Sequence, residues 1–134
     1  MFRYLVLGWL VMPTCLAAED RPVSPEEFER LVLGETMSFI GTSGLYGAEE
    51  YFGDRRVRWS FLDGTCTDGR WFNQGNQICF QYDDGGNAEP QCWSFYMKDD
   101  ALVGEYDNGG QTAAPVQMQM RSGPLYCLSP EVGA

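Results

Sequence analysis

From residue 36 onward the chain alternates short segments rich in aromatic and β-branched residues with clusters of Gly, Asp and Asn. The segments cover residues 36–42, 49–52, 56–62, 70–72, 77–82, 91–97, 102–106, 116–121 and 125–128. Segments this short and this regularly spaced are typical of antiparallel strands joined by tight turns. None of the intervening stretches is long enough for the helical crossovers that parallel sheets need. The sequence therefore predicts a mainly β fold, an antiparallel meander closed into a small barrel (a lipocalin-like shape) or a sandwich.

Alternation within these segments predicts which side chains form the core. In a strand, every second side chain points to the same face. The apolar sets that share a face are Val57, Trp59 and Phe61; Ile78, Phe80 and Tyr82; Trp93, Phe95 and Met97; Met118 and Met120. We expect these sets to point into the interior of the barrel or sandwich.

One short helix is predicted before the strands, over about residues 24–33. Ser24 can cap it, Pro25 suits its first position, and Glu27 can return a hydrogen bond to the cap. Its apolar face carries Phe28, Leu31 and Val32, and Gly34 ends it. A helix of this length must dock on another element to be stable.

The N-terminus has the pattern of a cleavable signal peptide. Arg3 precedes an apolar run over residues 4–12, which is too short to span a bilayer. Pro13 follows, and Cys15-Leu16-Ala17 places small residues where a signal peptidase cuts. We predict a signal peptide over residues 1–17 and a single domain over residues 18–134. The alternative is a lipoprotein in which Cys15 becomes the acylated first residue.

Removal of Cys15 leaves four cysteines, an even number in a small exported domain, which predicts two disulfides. Cys79 and Cys92 have the same parity in two strands that we pair as a hairpin, and opposite residues on one face bring their Cβ atoms within about 5 Å. We therefore predict Cys79–Cys92, which leaves Cys66–Cys127. The cysteines lack the close spacing of a metal site, and we predict no metal and no cofactor.

The strand aromatics and cysteines also carry a resemblance. The pattern Gly69-x-Trp71, Ile78-Cys79-Phe80-x-Tyr82 and Cys92-Trp93 resembles a group of small exported bacterial proteins of unknown function. The likeness covers about a third of the chain, from residue 50 to residue 93. It implies a periplasmic β-domain and supplies no catalytic residues.

Charge and composition exclude several functions. The part after the predicted signal has eight basic against nineteen acidic residues, so its surface repels phosphate backbones, and we expect no nucleic-acid partner. The chain contains no histidine, which removes the common catalytic triads and the usual general base. A pair of carboxylates is the catalytic device that remains. The candidates are Glu49, Glu50, Asp54 and Asp63, and no spacing singles out two of them.

Two charged clusters have simpler interpretations than a binding site. Asp83, Asp84, Asn87 and Glu89 can offer oxygen ligands to calcium, but the Asp-Gly-Gly-Asn sequence between them is typical of a hairpin turn. The second cluster consists of Arg55, Arg56 and Arg58. These can form an anion site, but we expect them to pair with Glu49 and Glu50 on the preceding strand.

The aromatic residues are the remaining candidates for a binding site. A small barrel can enclose a ligand between its inward side chains. If this barrel is hollow, the cavity is predicted to be lined by Trp59, Trp71, Phe80, Tyr82, Trp93 and Phe95. The alternative, which we favour at this point, is a solid core, because a small domain needs most of its rings for stability.

The sequence thus predicts a periplasmic or secreted, non-catalytic binding module, most simply a monomer without a transmembrane segment. Its expected partner is a protein or another component of the cell envelope, and an inhibitor of a basic secreted enzyme belongs to this class. The first alternative is a lipocalin-like carrier of a small apolar ligand. The second is a hydrolase that uses carboxylates.

Overall fold

The computed structural model describes residues 10–15, 20–83 and 89–128. Its strands are β1 (Arg21–Pro22), β2 (Thr36–Gly41), β3 (Gly44–Tyr51), β4 (Arg56–Ser60), β5 (Cys66–Gln74), β6 (Gln77–Tyr82), β7 (Gln91–Lys98), β8 (Ala101–Asn108), β9 (Gln111–Thr112) and β10 (Val116–Arg121). Helix α1 covers Pro25–Val32, and Gly53–Arg55 form one 3₁₀ turn. Most of the predicted signal peptide, including its cleavage region, lies outside the described residues.

Eight of the strands form a closed antiparallel barrel. Strands β2 to β8 pair each with the next, and β10 pairs with both β8 and β2, which closes the ring. The two-residue strands β1 and β9 extend this sheet beside β7 and β8. Closure leaves no long exposed strand edge in the part of the chain that the structure describes. The structure confirms the predicted mainly β meander and decides between the two predicted forms in favour of the barrel.

Helix α1 fills one end of the barrel. Ser24 caps it by accepting a hydrogen bond from the Glu27 amide at 3.2 Å, as predicted, but the Glu27 carboxylate pairs with Arg21 instead of returning to the cap. Phe28 is fully buried, and its ring centroid lies 4.6–6.4 Å from those of four interior rings. These rings belong to Tyr51, Trp71, Phe80 and Phe95. The helix therefore closes the end of the barrel where β3 ends and β4 begins.

Both predicted disulfides are present. Cys79–Cys92 joins the directly opposed residues of β6 and β7, as the predicted register requires. Cys66–Cys127 joins the start of β5 to the segment after β10. Two disulfides indicate an oxidising location outside the cytoplasm. No helix among the described residues is long and apolar enough to cross a membrane.

The segment after β10 is a strap rather than the predicted strand over residues 125–128. It runs on the outside of the barrel, where the Leu125 amide donates to Glu50 at 3.2 Å and the Leu128 amide donates to the Gly64 carbonyl at 2.7 Å. It forms no strand pairing within the described part of the chain, and the Cys66–Cys127 disulfide attaches it to β5.

Three side chains of the predicted core are exposed. Met120 lies near the last residue of β10, and Leu31 lies on the edge of the helix face, where Phe28 and Val32 take the buried positions. Phe61 lies just after β4 and is 65% exposed. Alternation predicted Phe61 and Met120 wrongly because it gives the face of a residue and not its height along the barrel.

Candidate ligand-binding site

The end of the barrel opposite the helix contains a cavity of about 280 Å³. Its lining comes from six strands of the barrel and one loop position. The lining residues are Phe39, Tyr46, Glu49, Trp59, Phe61, Thr67, Phe80, Tyr82, Gln91 and Trp93. The interior is therefore filled at the helix end and hollow at the other.

Aromatic rings form one wall of this cavity. Phe39, Tyr46 and Trp59 come from three neighbouring strands, and their ring centroids lie 5.2–6.3 Å apart. Phe61 extends the group, with its ring edge-on to Trp59 at 5.3 Å. Edge-to-face contacts of this kind fix the orientation of rings that face a binding site.

The opposite wall comes from β6 and β7. Phe80 and Tyr82 lie parallel with their centroids 6.5 Å apart, and Trp93 packs against Tyr106 at 5.3 Å. In the closed ring of eight strands, β3 lies opposite β7. A molecule in the cavity would consequently contact aromatic faces on both sides.

A β-bulge in β3 brings Tyr46 and Glu49 to the same cavity. The register between β2 and β3 shifts where Phe39 pairs with Gly47 and Ile40 pairs with Leu45. Simple alternation would place Tyr46 and Glu49 on opposite faces, and the extra residue of the bulge cancels that difference. Gly47 is required here, because a Cβ atom at this position would lie 2.3 Å from the Trp59 ring.

Glu49 is the only carboxyl among the described residues that line the cavity, and it is 1% exposed. The Tyr82 hydroxyl donates a 2.6 Å hydrogen bond to its Oε2. Burial raises the pKa of Glu49 to about 8, against a smaller lowering by the Tyr82 hydrogen bond. Burial, followed by the charge of Glu49, raises the pKa of the Tyr82 hydroxyl well above its ordinary value.

Two buried polar atoms on this side of β3 have no hydrogen-bond partner within the described parts of the chain. They are Oε1 of Glu49 and the hydroxyl of Tyr51. The two residues are two positions apart on the inward face of β3. A buried polar atom without a partner is rare and calls for an explanation, such as a water, an ion or a ligand.

Four of the six predicted cavity residues line the cavity, and two do not. Trp59, Phe80, Tyr82 and Trp93 are among its walls. Trp71 and Phe95 lie instead at the other end, in contact with Phe28 of the helix. The sequence pattern could not separate the two groups, because it did not show that the helix enters the barrel.

The other predicted carboxylate candidates do not join Glu49. Glu50 points outward and accepts the Leu125 amide, while Asp63 accepts the amide of Thr65 at 2.9 Å in its own loop. Asp54 lies in the 3₁₀ turn after β3, at the helix end. The structure therefore assembles no pair of these four acids at the cavity.

The contacts of the arginine cluster agree only in part with the predicted ones. Arg58 pairs with Asp68 on the following strand at 2.6 Å, and Arg55 lies over the Trp71 ring at 4.2 Å and 3.5 Å from Glu29. Arg56 lies over the Phe52 ring. The expected pairing with Glu49 was wrong, because Glu49 lies on the inner face of β3. Arg58 does lie directly opposite Glu50 in the β3–β4 ladder, and its pKa is raised mainly by the hydrogen bond with Asp68 and further by the charge of Glu50.

Sequence reasoning missed six of the lining residues as parts of a cavity. They are Phe39, Tyr46, Glu49, Phe61, Thr67 and Gln91. A signal was present in Gly47, a glycine inside a strand segment, which often marks a bulge or a close approach. A bulge at that point would have predicted that Tyr46 and Glu49 share a face.

The described residues contain no group of three or more His, Cys, Asp or Glu side chains that could hold a metal ion. The proposed turn at Asp83, Asp84, Asn87 and Glu89 lies partly outside the described residues, since 84–88 are not described. Comparisons with protein-family models, curated proteins and solved structures find no match to this chain.

Proposed function

We propose that this chain is an exported, non-catalytic binding protein that carries a small, largely apolar ligand in the open end of its barrel. The observation that carries the proposal is the cavity of about 280 Å³ between two aromatic walls, with one buried carboxyl in its lining. Binding sites for small molecules are typically concave and apolar with a few polar groups that fix orientation. Because the open end of the barrel is hollow, we favour the lipocalin-like carrier over the binding module with a solid core that the sequence favoured.

The test is a titration with an apolar fluorescent probe, followed by quenching of tryptophan emission. Trp59 and Trp93 line the cavity, so saturable, stoichiometric quenching at micromolar probe is expected. Thr67→Phe places a ring inside the cavity and should abolish uptake. The matched control Arg70→Phe adds the same ring on the exposed side of the same strand and should leave uptake unchanged. Unsaturable quenching, or equal uptake by both variants, would refute the carrier.

The proposed absence of catalysis rests on the chemistry of the lining. Glycoside hydrolysis, the carboxylate mechanism considered above, uses two acids that flank one bond. The described lining supplies Glu49 alone, and the chain has no histidine to act as a second proton-transfer group. A single carboxyl among aromatic rings suits binding better than acid–base catalysis.

Export to the periplasm or the medium is supported by the disulfides together with the N-terminal sequence. The described apolar residues Leu10, Val11 and Met12 are 79–90% exposed, so they take no part in the core of the barrel. The resemblance to small exported bacterial proteins stays a prediction that agrees with this proposal. N-terminal sequencing of the secreted or periplasmic protein should find Ala18 or Glu19 first. A chain that still begins at Met1, or one acylated at Cys15, would contradict it.

A protein partner is a second candidate, supported by exposed apolar side chains beside the open end. Phe61, Tyr126 and Leu128 are 65–78% exposed, and the Cys66–Cys127 disulfide holds their two segments together. Exposed apolar side chains grouped in this way are typical of protein interaction sites. The net charge of −10 would favour a basic partner.

This second candidate can be tested against a panel of basic secreted hydrolases. Stoichiometric inhibition by the wild-type protein, lost in Phe61→Asp and kept in Thr67→Phe, would establish it. Inhibition that both variants retain would exclude this surface.

A further inference from the structure

We propose that the ligand carries a protonated amine, which the carboxylate of Glu49 binds while the two aromatic walls contact its apolar part. This inference rests on the proposed carrier function and names the chemical class of its ligand. Four features of the cavity support it: an unpartnered oxygen, the type of rings, the charge of the surroundings and the proton balance.

The unpartnered oxygen is Oε1 of Glu49. Its companion Oε2 is held by Tyr82, so the orientation of the carboxyl group is fixed from one side. Oε1 is buried and has no partner among the described residues, although it belongs to a side chain that lines the cavity. Since a buried polar atom of this kind costs stability unless it is satisfied, the site is prepared for a ligand that forms a hydrogen bond with Oε1.

The rings around Glu49 suit a cation. Trp, Tyr and Phe attract cations to their faces, and Trp does so best. Tyr46, Trp59, Tyr82 and Trp93 all line the same cavity as Glu49. A carboxylate among such rings provides a charge partner and a set of negative ring faces for an ammonium group.

The charges near the cavity also favour a cationic ligand. The described lining contains no lysine and no arginine, so no internal cation competes for Glu49. The whole chain carries a net charge of −10, which raises the concentration of cations at its surface. An anionic ligand would find no cationic side chain in the described lining and would be repelled by the negative charge of the chain.

Binding of an amine must release a proton from Glu49 at neutral pH. Burial keeps this carboxyl protonated up to about pH 8 in the free protein. The other titratable groups that face it are the hydroxyls of Tyr46, Tyr51 and Tyr82, whose pKa values burial raises above the ordinary value. These hydroxyls keep their protons, Tyr82 keeps its hydrogen bond, and the one proton that leaves comes from Glu49 and goes to solvent.

Protonated Glu49 offers the opposite possibility, in which its hydroxyl donates to a ligand carbonyl or ether. The two cases differ in the sign of their pH dependence. Amine binding strengthens as pH rises toward 8, because less work is needed to remove the proton. Binding of a neutral acceptor weakens over the same range, because the donor is lost.

The experiment compares octylammonium with octanol, two probes of similar length that differ in the polar group, by isothermal titration calorimetry. The alkylammonium stays protonated between pH 6 and 9, as a lysine side chain does. We expect its affinity to rise by up to about tenfold per pH unit from pH 6 to pH 8 and then to level off. Octanol should bind more weakly at pH 8 and show no such rise.

Glu49→Gln supplies the matched variant. The amide keeps the size of the side chain and an oxygen that can accept from Tyr82, and we expect it to remove the advantage of octylammonium while octanol still binds. The wild-type protein offers a second measurement that needs no variant. Below pH 8, the heat of octylammonium binding should change between buffers of different ionisation enthalpy, in the amount expected for release of about one proton.

The outcomes separate this inference from the carrier function. Tighter binding of octanol than of octylammonium at pH 8, affinity that falls with pH, or heat independent of the buffer would overturn the amine while the carrier stands. Failure of both octyl probes together with uptake of the apolar fluorescent probe would also overturn the amine alone. Failure of all three probes would overturn the carrier and this inference together.

Discussion

The Tyr82 hydroxyl donates a 2.6 Å hydrogen bond to Glu49 across the interior of the barrel, from β6 to β3. Strands β3 and β6 are not neighbours in the sheet, so this bond connects two separate parts of the wall. A buried carboxyl with one hydrogen bond is only partly compensated for its loss of water. In the free protein Glu49 is protonated at neutral pH, so no negative charge is buried. Because the unfolded chain has lost this proton at the same pH, the free energy of unfolding depends on pH.

The first prediction is that the free energy of unfolding falls as pH rises from about 5.5 to 8. The folded-state pKa of Glu49 is about 8, above its ordinary value of 4.5, so the folded state holds a proton in this window that the unfolded state has lost. The contribution of Glu49 to the free energy of unfolding is therefore largest below pH 4.5. It declines as the pH rises through the window and levels off above pH 8. The total loss is at most about 5 kcal/mol.

Urea unfolding at a series of pH values measures this slope, and Glu49→Gln should remove it. Glu50→Gln is the matched control, because Glu50 is the next residue of β3 and faces outward. A slope that persists in Glu49→Gln, or disappears in Glu50→Gln, would contradict the assignment to Glu49.

The second prediction concerns the disulfides, which close loops of different size. Cys66–Cys127 spans a sequence separation of 61 residues, and Cys79–Cys92 spans 13. On the chain-entropy account, removing the first should cost about 4 kcal/mol and removing the second about 3 kcal/mol. Paired Cys→Ser variants, compared by urea unfolding, measure both values. A larger loss for the shorter loop would show that packing around Cys79, which is fully buried, outweighs chain entropy.

The third prediction separates the closed end of the barrel from the cavity. Phe28→Ala removes the ring at the centre of the helix contact and should lower the free energy of unfolding by about 3–5 kcal/mol. Leu31→Ala, on the same helix at a residue that is 38% exposed, should cost less than about 1 kcal/mol. Below its melting temperature, Phe28→Ala should still take up the apolar probe. Loss of uptake in a variant with native circular dichroism would show that the two ends are coupled.

The fold was predictable because its signals are local. Segments 77–82 and 116–121 coincide with β6 and β10, and the parity of Cys79 and Cys92 predicted their disulfide. The middle strand β5 extends well beyond the predicted residues 70–72, because two flanking partners stabilise residues of low strand propensity such as Asp68 and Gly69.

The site was less predictable because it depends on distant contacts. Nothing local shows that Phe28 fills one end of the barrel, and that single fact decides that Trp71 packs in the core and Trp93 lines the cavity. The role of Glu49 was hidden for a similar reason. Its partner Tyr82 is 33 residues away, and the bulge that places Tyr46 beside it breaks the alternation from which faces were predicted.

The last prediction tests that bulge through Gly47. A Cβ atom there would lie 2.3 Å from Cζ2 and 2.4 Å from Cη2 of Trp59, and 2.9 Å from the carbonyl oxygen of Ser60. The Ser60 backbone is held in the β3–β4 ladder, so Trp59 has to move. Gly47→Ala should therefore cost about 1–3 kcal/mol in stability and displace the indole from the cavity wall.

The measured consequences of Gly47→Ala should be a shift of tryptophan emission and about tenfold weaker probe uptake, equivalent to about 1.4 kcal/mol. Gly53→Ala is the control, because a Cβ atom at that position meets nothing within 4 Å. Unchanged emission and uptake in Gly47→Ala, alongside an unchanged control, would mean that Trp59 does not depend on the missing side chain and that its ring is not fixed as a wall of the site.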